Sequence, residues 1–373
     1  MSLQDWMKRD ALPLWLDVGV DHTHGGFHEA IGLDGHAVSP FRRARVICRQ
    51  IYVFALAHRL GQAAGAHAAT VQGLAFLKAR FLRSGGLIWA RLSPTGEVAD
   101  PGLSLYDQAF LLFALAACAE IDLERQECTH RALQVVDALN SEWSNPAGGY
   151  IEREGEAYQA NAHMHLFEAS LAWEALDPLG PWTGLADSIG ERALTKFIDP
   201  ASGALREFFN ADWSMTKTEA GRLIEPGHLF EWAWLLARWS HLRQRQDALV
   251  VAKRMFSVAS RHGVDRVRGV TINELWDDLS VRSGRARLWP QTEWLKASVR
   301  LGAMSEGEEA ESYASEAHAA ARGLGLYFNT NIPGLWRDKM LEDGGFIDEP
   351  APASSFYHIA CALDEAQSFG VAV

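Results

Sequence analysis

Residues 84–90 read SGGLIWA, a glycine pair running into apolar and aromatic residues, and five further stretches of the chain repeat that pattern. They are HGGFHE at 24–29, AGGYIER at 147–153, SGALREFF at 202–209, RGVTINEL at 268–275 and DGGFIDE at 343–349. The marker glycines Gly26, Gly86, Gly149, Gly203, Gly269 and Gly345 recur roughly every 60 residues, the signature of a repeat architecture. Each stretch predicts a tight β-hairpin or strand pair. Around them, apolar residues at period 3.6 predict twelve helices, at 3–18, 42–60, 67–82, 104–119, 124–141, 161–176, 183–197, 225–242, 243–262, 287–302, 305–325 and 353–369. Even helices lead to odd ones through a few residues, as at Gly61 to Gly65, whereas odd helices lead to even ones through the long glycine-marked excursions. The terminal units resemble the middle ones and lack the polar caps of an open array. The expectation is an all-α fold, a single (α/α)6 barrel over 1–373. Its even helices lie inside, its odd helices outside, and its short β-hairpins gather at one rim near the inner-helix starts.

Composition limits what such a chain can do. Nearly half of the 373 residues are apolar, and 14 are tryptophans, enough for a large core. A formal charge of −12 argues against nucleic acid and against an anionic membrane surface. Cys48, Cys118, Cys128 and Cys361 are scattered and fit reduced core thiols better than a disulfide framework or a zinc site. With no basic and apolar leader and no apolar run near about 18 residues, the reading is a cytoplasmic protein.

The inner-helix starts carry polar groups within otherwise apolar sequence. EPGHLFEWAW, at 225–234, turns through Pro226 and Gly227 into a helix whose first turn holds His228. Glu231, three residues on, shares its face, so the carboxylate is expected to fix the imidazole tautomer. The helix N-terminus is expected to help His228 accept a proton near neutrality. The second helix places Arg45 and Arg49 four apart on one face, where buried guanidinium groups need partners or a ligand. The fourth begins with Tyr106, Asp107 and Gln108, and Asp107 also reads as a simple helix cap. In the sixth, His163 and His165 point to different sides and cannot share one metal ion, whereas Asn161, His165 and Glu168 share a side. The tenth offers Trp289, Gln291, Glu293 and Trp294. The twelfth places His358 one turn in, a position that equally suits a hydrogen-bonded core histidine.

Aromatic faces beside planar polar groups suit a sugar, with its apolar CH face and its fringe of hydroxyls. Two histidines without a metal suit proton transfer. The histidines of DHTHGGFHE, His22, His24 and His28, alternate sides in a hairpin and make a poor zinc site. The chain shows no Walker-type loop, no GxGxxG after a strand and no nucleophile elbow.

Six segments carry a resemblance over essentially the whole chain: CRQIYVFALA (48–57), LYDQAFLLFALA (105–116), NAHMHLFEA (161–169), EPGHLFEWAWLL (225–236), WPQTEWLKA (289–297) and SFYHIACAL (355–363). In this order and spacing the chain resembles the N-acylglucosamine 2-epimerase superfamily. That superfamily includes 2-epimerases, cellobiose 2-epimerase and aldose–ketose isomerases acting on mannose and related sugars. The resemblance implies the (α/α)6 barrel, an acid/base pair at His228 and His358, and Arg49 binding sugar oxygens near the reacting carbons. It implies a sugar pocket lined by Tyr106, Asn161, His165, Glu231, Trp289 and Glu293. It also implies chemistry without metal or other cofactor, through an enediolate. SSFYHI departs from the glycine-containing form associated with N-acylglucosamine epimerases, and CRQIYVFALA and NAHMHLFEA are closer to the mannose isomerase branch. The expected activity is therefore a D-mannose/D-fructose type isomerase on a monosaccharide, free or phosphorylated. A 2-epimerase on the same site is the alternative; a glycoside hydrolase or a non-catalytic sugar-binding protein on the same toroid represents another class. The sequence leaves a homodimer open.

Overall fold

The computed structural model describes residues 2–152 and 158–373; Arg153, the last residue of AGGYIER, lies outside them. Among the described residues there are twelve helices, at the positions that the periodicity predicts. They are α1 (3–19), α2 (Ala44–Arg59), α3 (66–81), α4 (Leu105–Glu120), α5 (Arg125–Glu142), α6 (Ala160–Leu176), α7 (182–197), α8 (Pro226–Arg243), α9 (Gln246–His262), α10 (Leu288–Ala303), α11 (Gly307–Gly325) and α12 (Ala353–Ser368). None is long and apolar enough to cross a membrane.

The polypeptide clusters into two compact units. The first comprises Lys8–Ile189 and Pro350–Tyr357. Here α2, α4 and α6 pack side by side, with α3 laid on α2 and α5 on α4. The burial pattern explains the layering: every residue of α4 except Tyr106 and Glu120 is buried, because a helix apolar all round must be enclosed. The first repeat also meets the last within this unit. Strand Ala30–Ile31 pairs antiparallel with Ala37–Val38 and with Ala351–Pro352, and Gln50 Nε2 donates to the Ala353 carbonyl at 2.8 Å. An open array would leave those two edges apart.

The second unit comprises Met1–Met7, Gly190–Glu349 and His358–Val373. Helices α8 and α10 pack together, with α9 on α8 and α11 on α10. Outer helix α9 buries only Ala248, Leu249, Ala252, Met255, Phe256 and Ala259, one stripe at helical spacing.

All six predicted hairpins form. Antiparallel bridges close at Val20–Phe27, Leu82–Ile88, Ser144–Tyr150, Ile198–Leu205 and Met340–Phe346, and at Val264–Thr271. Five marker glycines adopt positive φ, the region that a turn of this tightness requires and that costs glycine least. The sixth differs: Gly344, not Gly345, takes the positive φ, 88°. The fifth excursion also exceeds a tight hairpin. Its strands Val264–Asp265, Val270–Leu275 and Val281–Arg287 join Lys339–Met340 in a four-stranded antiparallel sheet. Cys48, Cys118, Cys128 and Cys361 are buried free thiols.

Candidate active site

The inner helices begin in a common way. In α4 the fourth residue, Gln108, donates to the Ile88 carbonyl (3.1 Å) and accepts from the Ile88 amide (3.0 Å), gripping the hairpin strand that precedes it. Gln291, fourth in α10, does the same to Thr271, at 2.9 and 2.7 Å. His163, fourth in α6, accepts from the Tyr150 amide at 3.1 Å through Nε2. These buried groups satisfy backbone that would otherwise be stranded. Gln108, Gln291 and His163 are therefore structural clamps. Asp107 is not a cap either: Ser104 is the N-cap of α4, and the fully buried Asp107 pairs with Arg45, Nε to Oδ1 at 2.8 Å.

In the second unit the two histidines of interest lie against the same indole. The ring centroids of His228 and Trp289 are 5.0 Å apart, and those of Trp289 and His358 5.7 Å. Gly227 makes room for that indole: a Cβ there would come within 2.5 Å of Trp289 Cη2. His228 Nδ1 donates to Glu207 Oε2 at 2.9 Å, with Glu225 at 3.9 Å. This corrects the expected His228–Glu231 pairing. The orienting carboxylate comes from the preceding hairpin, and Glu231 turns instead toward Glu293 and His358.

The protonation expectation changes with it. Burial alone pushes His228 down, but Glu207, Glu225 and Glu231 outweigh it, and its pKa is pushed up to about 10. At neutral pH His228 thus holds a proton rather than waiting for one; nearby carboxylates dominate over the helix terminus. Glu225 moves up to about 7, chiefly through burial and against the pull of His228, with Glu207 and Glu274 repelling its charge.

His358 is held differently. Its Nδ1 donates to Glu293 Oε1 at 2.8 Å, and the other oxygen of Glu293 lies 2.7 Å from Lys296 Nζ. Glu293 and Lys296 are both fully buried, and the ammonium also sits 3.9 Å from the Trp234 ring centroid. The carboxylate facing His358 thus shares its charge with an ammonium, and Glu231 lies beside the pair, whereas Glu207 and Glu225 both face His228.

Glu207–Glu225–His228 and Glu231–Glu293–His358 each bring donor atoms within 4.8 Å of one another. Among the described residues of this unit these groups have donors close enough to hold a cation, and at the second Glu293 also meets Lys296. The Glu231–Glu293 spacing is also short of the roughly 6.5–9.5 Å that an inverting glycosidase needs. Glu293, held by His358 and Lys296, is not a free acid for the retaining alternative.

In the first unit, Arg49 is 6% exposed. It donates to Tyr106 Oη at 2.6 Å and to the Ser354 carbonyl at 3.3 Å. It also lies against the faces of Phe110 and Tyr357, at 4.3 and 5.1 Å from the centroids. Among the described residues no carboxylate pairs with it, and its Nε has no partner. A buried cation in that state is poised for an anion or a developing oxyanion. Beside it, His165 packs edge-on to Tyr106 at 4.9 Å and faces Glu168 at 3.4 Å. Tyr357 donates to Glu168, and Asn161 holds a buried Oδ1 without a partner among the described residues. Of the N-terminal histidines, His24 faces Asp21 and His28 bonds Ser39, while Asp21 is taken by Arg42.

Apart from His228, third in α8, the candidate residues fall on a simple register. The sixth residues of the inner helices are Arg49, Phe110, His165, Glu231, Glu293 and His358; the second residues include Arg45, Tyr106, Asn161 and Trp289. Sequence reasoning missed Glu207 and Lys296. Nothing local marks Glu207, whose partner lies 21 residues away. Lys296 had a signal, a lysine three residues after a glutamate within an apolar inner helix.

Residues 25–362 match the N-acylglucosamine 2-epimerase (GlcNAc 2-epimerase) family. The chain belongs to that family. It is 43% identical to a mannose-6-phosphate isomerase of Rhizobium meliloti (strain 1021), an alignment covering 98% of this chain and 95% of the relative. It is 26% identical to a D-mannose isomerase of Marinomonas mediterranea, over 74% of each chain. Among solved structures, one of a D-mannose isomerase superposes with a TM-score of 0.89 at 21% identity, covering 98% of this chain and 97% of the other. Likeness of that extent shows the expected (α/α)6 barrel fold. As a member of the N-acylglucosamine 2-epimerase family, the protein is an enzyme of the isomerase class.

Proposed function

We propose that the protein is an aldose–ketose isomerase acting on a mannose-type hexose, with His228 and His358 as its acid and base. The observation that carries this reading is the pair of imidazoles packed against Trp289, each with Nδ1 fixed by a carboxylate and so with Nε2 as its reactive nitrogen. Their surroundings differ in the sense that divides acid from base. His228, charged at neutral pH, donates a proton to the carbonyl oxygen on C1 as His358 removes the proton from C2. The C2–H electron pair forms the C1=C2 bond of the enediol. His228, now neutral, takes the proton from O2 as His358 returns its proton to C1. The O2–H pair forms the C2=O bond, the C1=C2 pair takes the proton, and the ketose results with both imidazoles back in their starting states. Names of relatives support the substrate class: mannose-6-phosphate isomerase at 43% identity and D-mannose isomerase at 26%. D-mannose, and separately its 6-phosphate, incubated in deuterated water and followed by NMR, is expected to give the ketose with exchange at C2. A C2 epimer as sole product would replace the isomerase by an epimerase on the same groups.

Arg49, a buried cation with no carboxylate partner among the described residues, has the character of an oxyanion donor, and Arg49→Ala is expected to lower kcat by about 10²–10³, as loss of such a donor does. A raised KM with unchanged kcat would assign Arg49 to ground-state binding only.

The acid role of His228 has a pH signature. Its proton is lost as pH rises through about 10, so kcat/KM falls on that limb. Glu207→Gln removes the first of the carboxylates holding the proton, and the alkaline limb is expected to move to lower pH. A profile whose alkaline limb stays in place would take the proton away from His228.

A further inference from the structure

The start of α2 is the most basic place in an acidic chain. Arg42, Arg43, Arg45 and Arg49 fall within eight residues of a protein with net charge −12. Arg43 is the N-cap of α2, no side chain caps the helix, and its first turn holds no acid, so the helix dipole adds to the positive potential. Three of the arginines are balanced: Arg42 by Asp21, Arg43 by Glu29 and Arg45 by Asp107. Two cations are not. Arg49 is one; the other is exposed Arg91, which among the described residues pairs with no carboxylate.

Arg91 stands directly opposite Arg43 across the Arg42–Arg43 and Arg91–Leu92 strand pair. Both guanidiniums lie against the ring of Phe41, at 5.7 Å for Arg43 and 5.6 Å for Arg91. Like charges directly opposite on neighbouring strands are unfavourable. Glu29 offsets Arg43, and Asp100 stands opposite Arg91 on its other neighbouring strand without an ion pair to it, so an added anion still meets a free cation at Arg91. Arg45 has the complementary geometry. The buried Asp107 takes its Nε and Nη2, at 2.8 and 3.2 Å, while the side chain remains 33% exposed. Nη1 makes no hydrogen bond among the described residues. The carboxylate thus braces the guanidinium, and Tyr106, 4.8 Å from its Cζ, supports its face. The bridging ring also connects the two arginines, since Tyr106 Oη accepts from Arg49.

We propose that Arg45, Arg43 and Arg91 form a subsite for a phosphate monoester, the 6-phosphate of the hexose substrate. Arg45 lies one turn before Arg49 on the same face, roughly 6 Å along the axis, a distance of the order of one sugar ring. The planar, always-charged guanidinium matches a phosphate through two parallel donors. This inference rests on the isomerase reading above and names which form of the sugar the site prefers.

The test compares kcat/KM for D-mannose 6-phosphate and D-mannose in the wild type, in Arg91→Ala and in Arg45→Lys, with inorganic phosphate as a competing probe. The wild type is expected to prefer the ester and to be inhibited competitively by phosphate. Each variant is expected to lose about tenfold or more of the ester-to-free-sugar ratio, as loss of one charged hydrogen bond implies, and to bind phosphate more weakly. Arg91 is at the surface, so its removal does not endanger folding, and Arg45→Lys keeps a charge beside Asp107. Wild-type turnover of mannose without preference for the ester, or ratios unchanged in both variants, would remove the subsite and leave the isomerase standing. Turnover of neither sugar would bring down the underlying reading and this one with it.

Discussion

His358→Asn is expected to lower kcat by about 10²–10⁴-fold, the usual worth of a positioned general base, with KM changed much less. The asparagine keeps a polar group near Glu293 Oε1, which His358 Nδ1 now meets at 2.8 Å, so the packing around Trp289 should survive. The decisive reading is isotopic. Wild-type protein is expected to wash the C2 proton of the aldose into deuterated water, and the variant to leave it in place while still binding sugar. If exchange at C2 persists at the wild-type rate, the proton is taken elsewhere, and His228 would have to be reassigned from acid to base.

The second large effect is on stability. Lys296→Met removes the ammonium 2.7 Å from Glu293 Oε2 in a place with no solvent on either partner. Breaking such a pair by deleting one member typically costs about 3–5 kcal/mol, because it leaves a buried charge uncompensated. Thermal and urea denaturation of Lys296→Met are expected to show that loss. Adding Glu293→Gln, which removes the stranded charge, should restore part of it. A single variant as stable as the wild type would mean that Glu293 is already neutral beside His358, and the contrast drawn between the two imidazoles would fail. The pair also explains why a lysine stands in an inner helix: it offsets the carboxylate that orients His358.

Much of this is legible in the sequence. Twelve helices and six hairpins follow from glycine spacing and period-3.6 patterning, because a turn needing positive φ and a helix needing an enclosed stripe both leave local marks. Prediction slipped where a sheet edge decided matters, as in the fifth excursion, whose strands run on to pair with Lys339–Met340. For the site, the residue types at the inner-helix starts were readable, but their partners were not. Glu231 has the right spacing to reach His228, yet Glu207 from the hairpin occupies Nδ1. Asp107 has the composition of a cap, yet Arg45, 62 residues away, claims it. Helical spacing constrains which side chains share a face; it does not say which of several carboxylates arrives from another element.

The glutamine and histidine clamps carry a consequence for how this scaffold changes over time. Gln108, Gln291 and His163 each lock an incoming hairpin from the fourth residue of a helix. The residues two places before and two places after them are thereby spared any part in holding the backbone. Exchanging one of those neighbours retools the chemistry without renegotiating the architecture. A lineage built this way can drift between sugars, and between two products from one sugar, by a few side-chain swaps.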